Sequence, residues 1–327
     1  MKIDLIKIIE KKAKEKSVKV VVCEGWDERV LRATGEILKK GFCEIILLDN
    51  GEIKANADKF KVDISKAKLI DFKSSSLKEE LVSKLVEVRK HKGLTKEDAE
   101  KLILDENYFG CVYAYCGYAD AVASSVICPT AGILKPALQI LREKGKVVSE
   151  VCIFSDPKND RVMFGTDFSM NMDPNVEELA QITVNAAKCV KMFGVQPKIA
   201  LLSFSTKGSG GKNPEIDKVV EAAEIAQKED PDSIIDAEYQ VDAAVNPEAA
   251  KSKCPDSILK GDANTLVFPN LTASNIFAHG IGQFSNMTLD VTIMQGLIKP
   301  IGVLGRSTSM DTVRNIIVGC AMQVNSK

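Results

Sequence analysis

Hydrophobic and polar positions alternate along the chain in two rhythms. Ile3, Leu5, Ile6, Ile8 and Ile9 recur among lysines over residues 3–16, the spacing of an amphipathic helix. VKVVVCEG (18–25) is a continuous β-branched run of the kind a buried parallel strand needs. Helical spacing resumes from Asp27 to Lys40, and CEIILLDN (43–50) repeats the strand signal. Strand, helix, strand in this order predicts an α/β domain with a parallel sheet and helices on its faces. The charged stretch from Ser76 to Leu104 predicts helix, with Gly93 as a stop and Thr95 as an N-cap ahead of Asp98.

Residues 108–116 and 119–125 are small and apolar, and AGILKPALQILREK (131–144) predicts a helix with Pro136 in its first turn or two. A second series follows: strand VCIFSDP, helix NVEELAQITVNAAKCVKMFG, strand KIALLSFS, helix NPEIDKVVEAAEIAQKED, strand-like TLVFPN and helical ASNIFAHGIGQF. LIKPIGVLGR and MDTVRNIIVGCAMQV then return to strand and helix. The change of composition at EKGKVVS, Glu143 to Ser149, marks the boundary between the two series.

With 327 residues, 45% of them hydrophobic, the chain can bury the cores of two domains. Its 44 basic and 45 acidic side chains leave a formal net charge of -1, so no bulk field draws it to nucleic acid or an anionic membrane. Any anion site must be local. No run approaches the roughly 18 apolar residues of a membrane span, and the charged start MKIDLIKIIEKKAKEK is unlike a signal peptide, so a soluble cytoplasmic enzyme is expected. The nine cysteines are scattered and form no CxxC pair, which predicts reduced, mostly buried thiols. With only His91 and His279, no His-rich metal site is expected, and the composition favours chemistry without a metal or cofactor.

The most informative local stretch is KIALLSFSTKGSGGKNPEIDK. Its strand runs into Ser205 and Thr206, then Gly208, Ser209, Gly210 and Gly211, before a helix. Loops after the carboxyl ends of parallel strands are where open α/β sheets bind ligands, and a glycine-rich turn can face its N–H groups to an anion. Phosphate binding is one reading and an exposed flexible turn the other; the spacing is not that of a nucleotide P-loop. VLGRSTSMD is the second candidate. Arg306 could hold a phosphate or acyl oxygen, with Ser307, Thr308 and Ser309 beside it and Asp311 able to accept a proton. The plain alternative makes Ser309 an N-cap, Asp311 a first-turn acid and Arg306 an ordinary surface residue.

Several segments taken in order resemble the phosphate acetyl/butyryltransferase family: VVCEGWDERVLRA, LVEVRKHKGLT, YADAVASS, PTAGILKPALQIL, NPEIDKVVEAA after LLSFSTKGSGGK, VDAAVNPEAA, ANTLVFPNLTASNI and MQGLIKPIGVLGRSTS. They span nearly the whole chain and resemble the acetyltransferases more than the shorter butyryl relatives. The resemblance implies a homodimer of subunits with two three-layer α/β domains, isocitrate/isopropylmalate dehydrogenase-like, and an active site in the cleft between them. Residues 1–146 plus about 293–327 would form the first domain and 147–292 the second. It implies reversible transfer of an acetyl or other short acyl group between coenzyme A and inorganic phosphate, with no cofactor. An aspartate takes the thiol proton, the thiolate attacks the acyl phosphate, and an arginine and a serine stabilise charge. Carried onto this chain, the catalytic set is Arg306, Asp311, Ser307 and Ser309. The acyl phosphate would meet Ser205, Thr206, Gly208, Ser209 and Arg306, and coenzyme A would meet Arg89, Thr130 and Lys135.

The chain departs from the family pattern at the chemistry. The serine that precedes the family's arginine is Gly305 here, and Ser307 or Thr308 would have to supply the hydroxyl. Asp311 stands one place from the family's usual aspartate, Lys135 replaces an arginine, and Gln283 replaces another. A catalytically impaired binding or regulatory paralogue is therefore an alternative, as is a metal-dependent dehydrogenase of similar architecture.

Overall fold

In the computed structural model, which describes residues 4–156, 160–306 and 308–326, the chain forms two compact units. One comprises residues 6–144 and 297–327; the other comprises 145–296 together with the N-terminal end up to Leu5. Strands are numbered along the chain.

The first unit holds a five-stranded sheet of order β11-β4-β1-β2-β3, formed by Ile301–Val303, Ala121–Ser124, Lys19–Val22, Glu44–Asp49 and Lys68–Asp71. All four pairings are parallel. The apolar runs read from the sequence lie in the middle of this sheet: Val20, Val21 and Val22 of β1 are fully buried, as are the four residues of β4. Helices Glu28–Lys40 and Met310–Asn325 pack together as one group, and Lys78–Arg89, Glu106–Tyr115 and Thr130–Ile140 form another. The predicted punctuation is present. Thr95 caps the helix Lys96–Leu102 by accepting the Asp98 N–H at 3.1 Å, and Gly93 adopts φ +72° at the preceding stop.

Sheet order locates the ligand edge of this unit. From β1 the chain winds outward through β2 and β3, whereas β4 and β11 lie on the other side of β1. The winding reverses between β1 and β4, and open α/β sheets bind ligands outside the carboxyl ends of the strands at such a switch point.

The second unit contains a six-stranded sheet of order β10-β5-β6-β9-β7-β8, from Thr288–Gln295, Ser149–Asp156, Arg161–Thr166, Thr265–Val267, Lys198–Leu202 and Ile234–Tyr239. It is mixed: β10, β5 and β6 pair antiparallel, and the remaining pairs are parallel. Helices Val176–Met192 and Pro214–Glu229 pack together over a core of Leu179, Ile182, Ile199, Leu201, Val219 and Val267. All nine cysteines are free, six of them buried, as expected of reduced core thiols. Among the described residues no helix is long and apolar enough to cross a membrane.

Candidate active site

At the switch point of the first unit, three loops meet. Residues 23–27 follow β1, 125–129 follow β4, and 304–309 follow β11. Glu24, buried and at φ +55°, turns its carboxylate across to the β4 loop and accepts the backbone N–H groups of Val126 (2.6 Å), Ile127 (3.2 Å) and Cys128. Successive amides of this kind form an anion-binding concavity, and here a side chain of the same chain occupies it. The Glu24 N–H donates in turn to Glu106 Oε2 at 2.8 Å. Burial pushes the Glu106 carboxyl up to about 7, against that hydrogen bond, and the neighbouring Glu24 and Asp105 charges add to the rise.

The β11 loop carries the arginine singled out above. Arg306 is exposed, and its guanidinium makes no hydrogen bond or ion pair with a described residue. Its backbone is held, because Arg29 Nη1 donates to the Arg306 carbonyl at 2.7 Å and to the Thr308 carbonyl at 3.3 Å. Gly305 takes φ +74°, and a β-carbon built on it would lie 2.7 Å from Thr308 Oγ1. Among the described residues, the hydroxyl nearest the missing serine position is thus that of Thr308. Ser307 lies outside the described residues.

Ser309 is the N-cap of the helix Met310–Asn325, accepting the Thr312 N–H at 3.2 Å. The capping alternative is therefore realised for Ser309. Asp311 is exposed in the first turn of that helix and bonds to no described side chain, so it is open to a substrate. Thr130 is the first residue of the helix Thr130–Ile140, Lys135 is exposed one turn further on, and Pro136 sits in the second turn. Arg89 ends the helix Lys78–Arg89 beside Tyr108, whose hydroxyl donates to Gln139 at 3.0 Å. Burial raises the Tyr108 phenol and the Arg89 charge acts against it, and the helix that Arg89 ends packs against Thr130–Ile140. Arg89, Thr130, Lys135, Arg306 and Asp311 thus all belong to one unit.

The glycine turn of the second unit is built differently from the open cradle expected of it. Every backbone N–H from residue 205 to 211 has an acceptor within the chain. Thr206 donates to Ser209 Oγ at 2.9 Å, Gly208 to Glu238 Oε1 at 3.1 Å, and Gly210 to Ser205 Oγ at 2.6 Å. Ser205 and Thr206 are buried, whereas Gly208 and Ser209 are exposed. The buried Glu238 carboxylate takes the Gly208 N–H, one of the amides an open cradle would turn to an anion. Sequence could not show this, since Glu238 arrives from β8, which carries no apolar run long enough to announce itself.

Two buried carboxyls in this unit also escaped the sequence reading. Glu150 on β5 is pushed up to about 7 by burial although Ser169 Oγ donates to it at 2.5 Å, and Asp167 is raised by burial despite bonds from Asn171. Their only sequence signal is position: Glu150 lies inside an otherwise largely apolar strand, and Asp167 directly follows the end of β6.

Comparison with known proteins places the chain in a family and agrees with its fold. A family described as Phosphate acetyl/butaryl transferase matches residues 4–321. The chain is 37% identical over 321 residues to the phosphate acetyltransferase of Bacillus subtilis, covering 98% of this chain and 99% of that protein. It is 39% identical over 328 residues to a phosphate acetyltransferase of Staphylococcus aureus, covering 98% of each. The crystal structure of a phosphotransacetylase from Streptococcus pyogenes superimposes with a TM-score of 0.92 at 38% identity, covering 98% of both chains.

Proposed function

The chain belongs to the phosphate acetyl/butyryl transferase family, and from that premise we propose an acetyl-preferring phosphate acyltransferase whose chemistry centres on Arg306. The enzyme moves an acyl group reversibly between coenzyme A and inorganic phosphate. The observation that carries the site assignment is Arg306 itself: its backbone is fixed at the switch point while its guanidinium bonds to no described residue. A rigid backbone with a free two-pronged donor suits an oxyanion or a leaving phosphate.

In this reading Asp311 accepts the proton of the coenzyme A thiol, which near its ordinary pKa is mostly protonated at neutral pH. The thiolate forms a bond to the carbonyl carbon of the acyl phosphate. Arg306 stabilises the oxygen charge, the bond between the carbonyl carbon and the bridging oxygen breaks, and phosphate leaves with that bonding pair. Thr308 and Ser307 are the hydroxyls available to the same loop, and Ser309 contributes by capping the helix that presents Asp311. Arg89, Thr130 and Lys135 bind coenzyme A. At the glycine turn, the exposed edge of Gly208 and Ser209 is the part that meets phosphate, with Ser205 and Thr206 shaping it from behind. No resident metal or cofactor enters this reaction, and the enzyme works in the cytoplasm.

A homodimer completes the proposal. The helix Leu271–Phe284 contains no charged residue and buries only Ser274, leaving Ile276 68% and Phe284 92% exposed. An apolar face of this size seeks a partner, and a second copy offers the same face in return. Ile276→Glu should then shift sedimentation from dimer to monomer; a wild-type monomer would refute the assembly. The activity is tested by mixing purified protein with coenzyme A and acetyl, propionyl or butyryl phosphate. Thioester formation fastest with acetyl phosphate is expected, and absence of thioester from all three would overturn the reading.

A further inference from the structure

We propose that Arg29 is a positioning residue for the Arg306 loop, an inference that rests on the acyl-transfer reading above. A guanidinium has five N–H donors in a fixed fork. In Arg29 each has a partner. Nε donates to Asp27 Oδ1 at 3.0 Å and Nη2 to Asp27 Oδ2 at 3.2 Å, a bidentate ion pair. The second Nη2 hydrogen goes to the Val126 carbonyl at 2.9 Å, and the two on Nη1 go to the carbonyls of Arg306 (2.7 Å) and Thr308 (3.3 Å).

One side chain thereby ties together the residues that follow β1, β4 and β11, three adjacent strands, at their carboxyl ends. Asp27 orients the fork and is itself fixed, because it caps the helix Glu28–Lys40 and its N–H donates to the Glu24 carbonyl at 3.1 Å. With every donor spent on the protein, Arg29 is placed to set the backbone of residues 306 and 308 rather than to grip a phosphate. A lysine has three donors on a single nitrogen and cannot span the three loops.

The test is a double-mutant cycle in the complete enzyme. Arg29→Lys should lower kcat about 10-fold to 100-fold, the effect of small misplacement of a catalytic group. In an Arg306→Ala background the same change should have little further effect, because the group that Arg29 positions is gone. An equal fold-loss in both backgrounds would show that Arg29 acts independently and overturn the proposal. A second arm needs no activity. Trypsin cuts after Arg306 at the carbonyl that Arg29 holds, so the peptide ending at Arg306 should appear faster by mass spectrometry in Arg29→Lys at unchanged melting temperature. An unchanged cutting rate counts against the strut. Asp27→Asn, which loosens the fork without removing it, should move both readouts in the same direction and carries the test if Arg29→Lys does not fold. Should the wild type transfer no acyl group, the acyltransferase reading fails on its own, and the trypsin arm decides the strut.

Discussion

Thr308 places its hydroxyl oxygen 2.7 Å from the point where a β-carbon on Gly305 would stand. Gly305 also has φ +74°, a conformation that costs a side-chain-bearing residue about 1–2 kcal/mol. Restoring the serine of the family pattern therefore does not simply restore a hydroxyl. Gly305→Ser should lower unfolding free energy in urea and reduce turnover, and adding Thr308→Ala should recover the part due to the contact but not the part due to the backbone. Full activity in Gly305→Ser would show that the loop readily adopts another shape.

Arg306→Lys keeps the charge and loses the fork. Turnover should fall on the order of 100-fold, while the melting temperature stays put because the guanidinium has no described partner. Unchanged turnover would return Arg306 to the status of a surface residue.

Asp311→Asn separates a base from a helix-dipole acid. The amide preserves shape but takes no proton, so turnover should drop strongly and its pH dependence should change, with acyl phosphate binding intact. Ser309, not Asp311, is the cap, so stability should change by no more than about 0.3–1 kcal/mol. A small melting shift with normal turnover would assign Asp311 to the dipole alone.

Glu150 links stability to pH. Its folded-state pKa, about 7, lies above the ordinary carboxyl value, so the native state holds the proton more tightly than the unfolded chain. Native stability should fall as pH rises from about 4.5 through 7. Glu150→Gln should flatten that slope in melting curves, with its benefit largest at the alkaline end. Glu106, raised to about 7 by burial as well, should leave a residual slope of the same sign. An identical slope in Glu150→Gln would place the coupling elsewhere.

The parallel sheet of the first unit and its helix caps were legible because they rest on local signals: β-branched runs, the Gly93 stop and the Thr95 cap. Strands β3, β6, β8 and β10 were not. They are short or carry charge, as in the four residues Lys68–Asp71, and only pairing with neighbours makes them strands. The cluster Arg306, Ser309 and Asp311 was visible as residue types after a strand, yet sequence could not choose between cap and catalyst for Ser309. Arg29 reads as an ordinary first-turn residue of a helix. Its partners at 126, 306 and 308 are far away in sequence, as are the amides that receive Glu24, so only the folded chain could reveal either.

The five-stranded sheet has a consequence for synthesis on the ribosome. β11 joins β4 at the sheet edge, but it is made only after the whole of residues 145–296. A nascent chain that has finished β1 to β4 lacks the loop that Arg29 awaits, and the outer edge of β4 stays unpaired while the second unit emerges. Pairing across so long a separation is slow because loop closure precedes the contacts that reward it. The arginine fork and its loop therefore come together as one of the last events of folding, and chains truncated before residue 301 carry an open sheet edge available to the wrong strand.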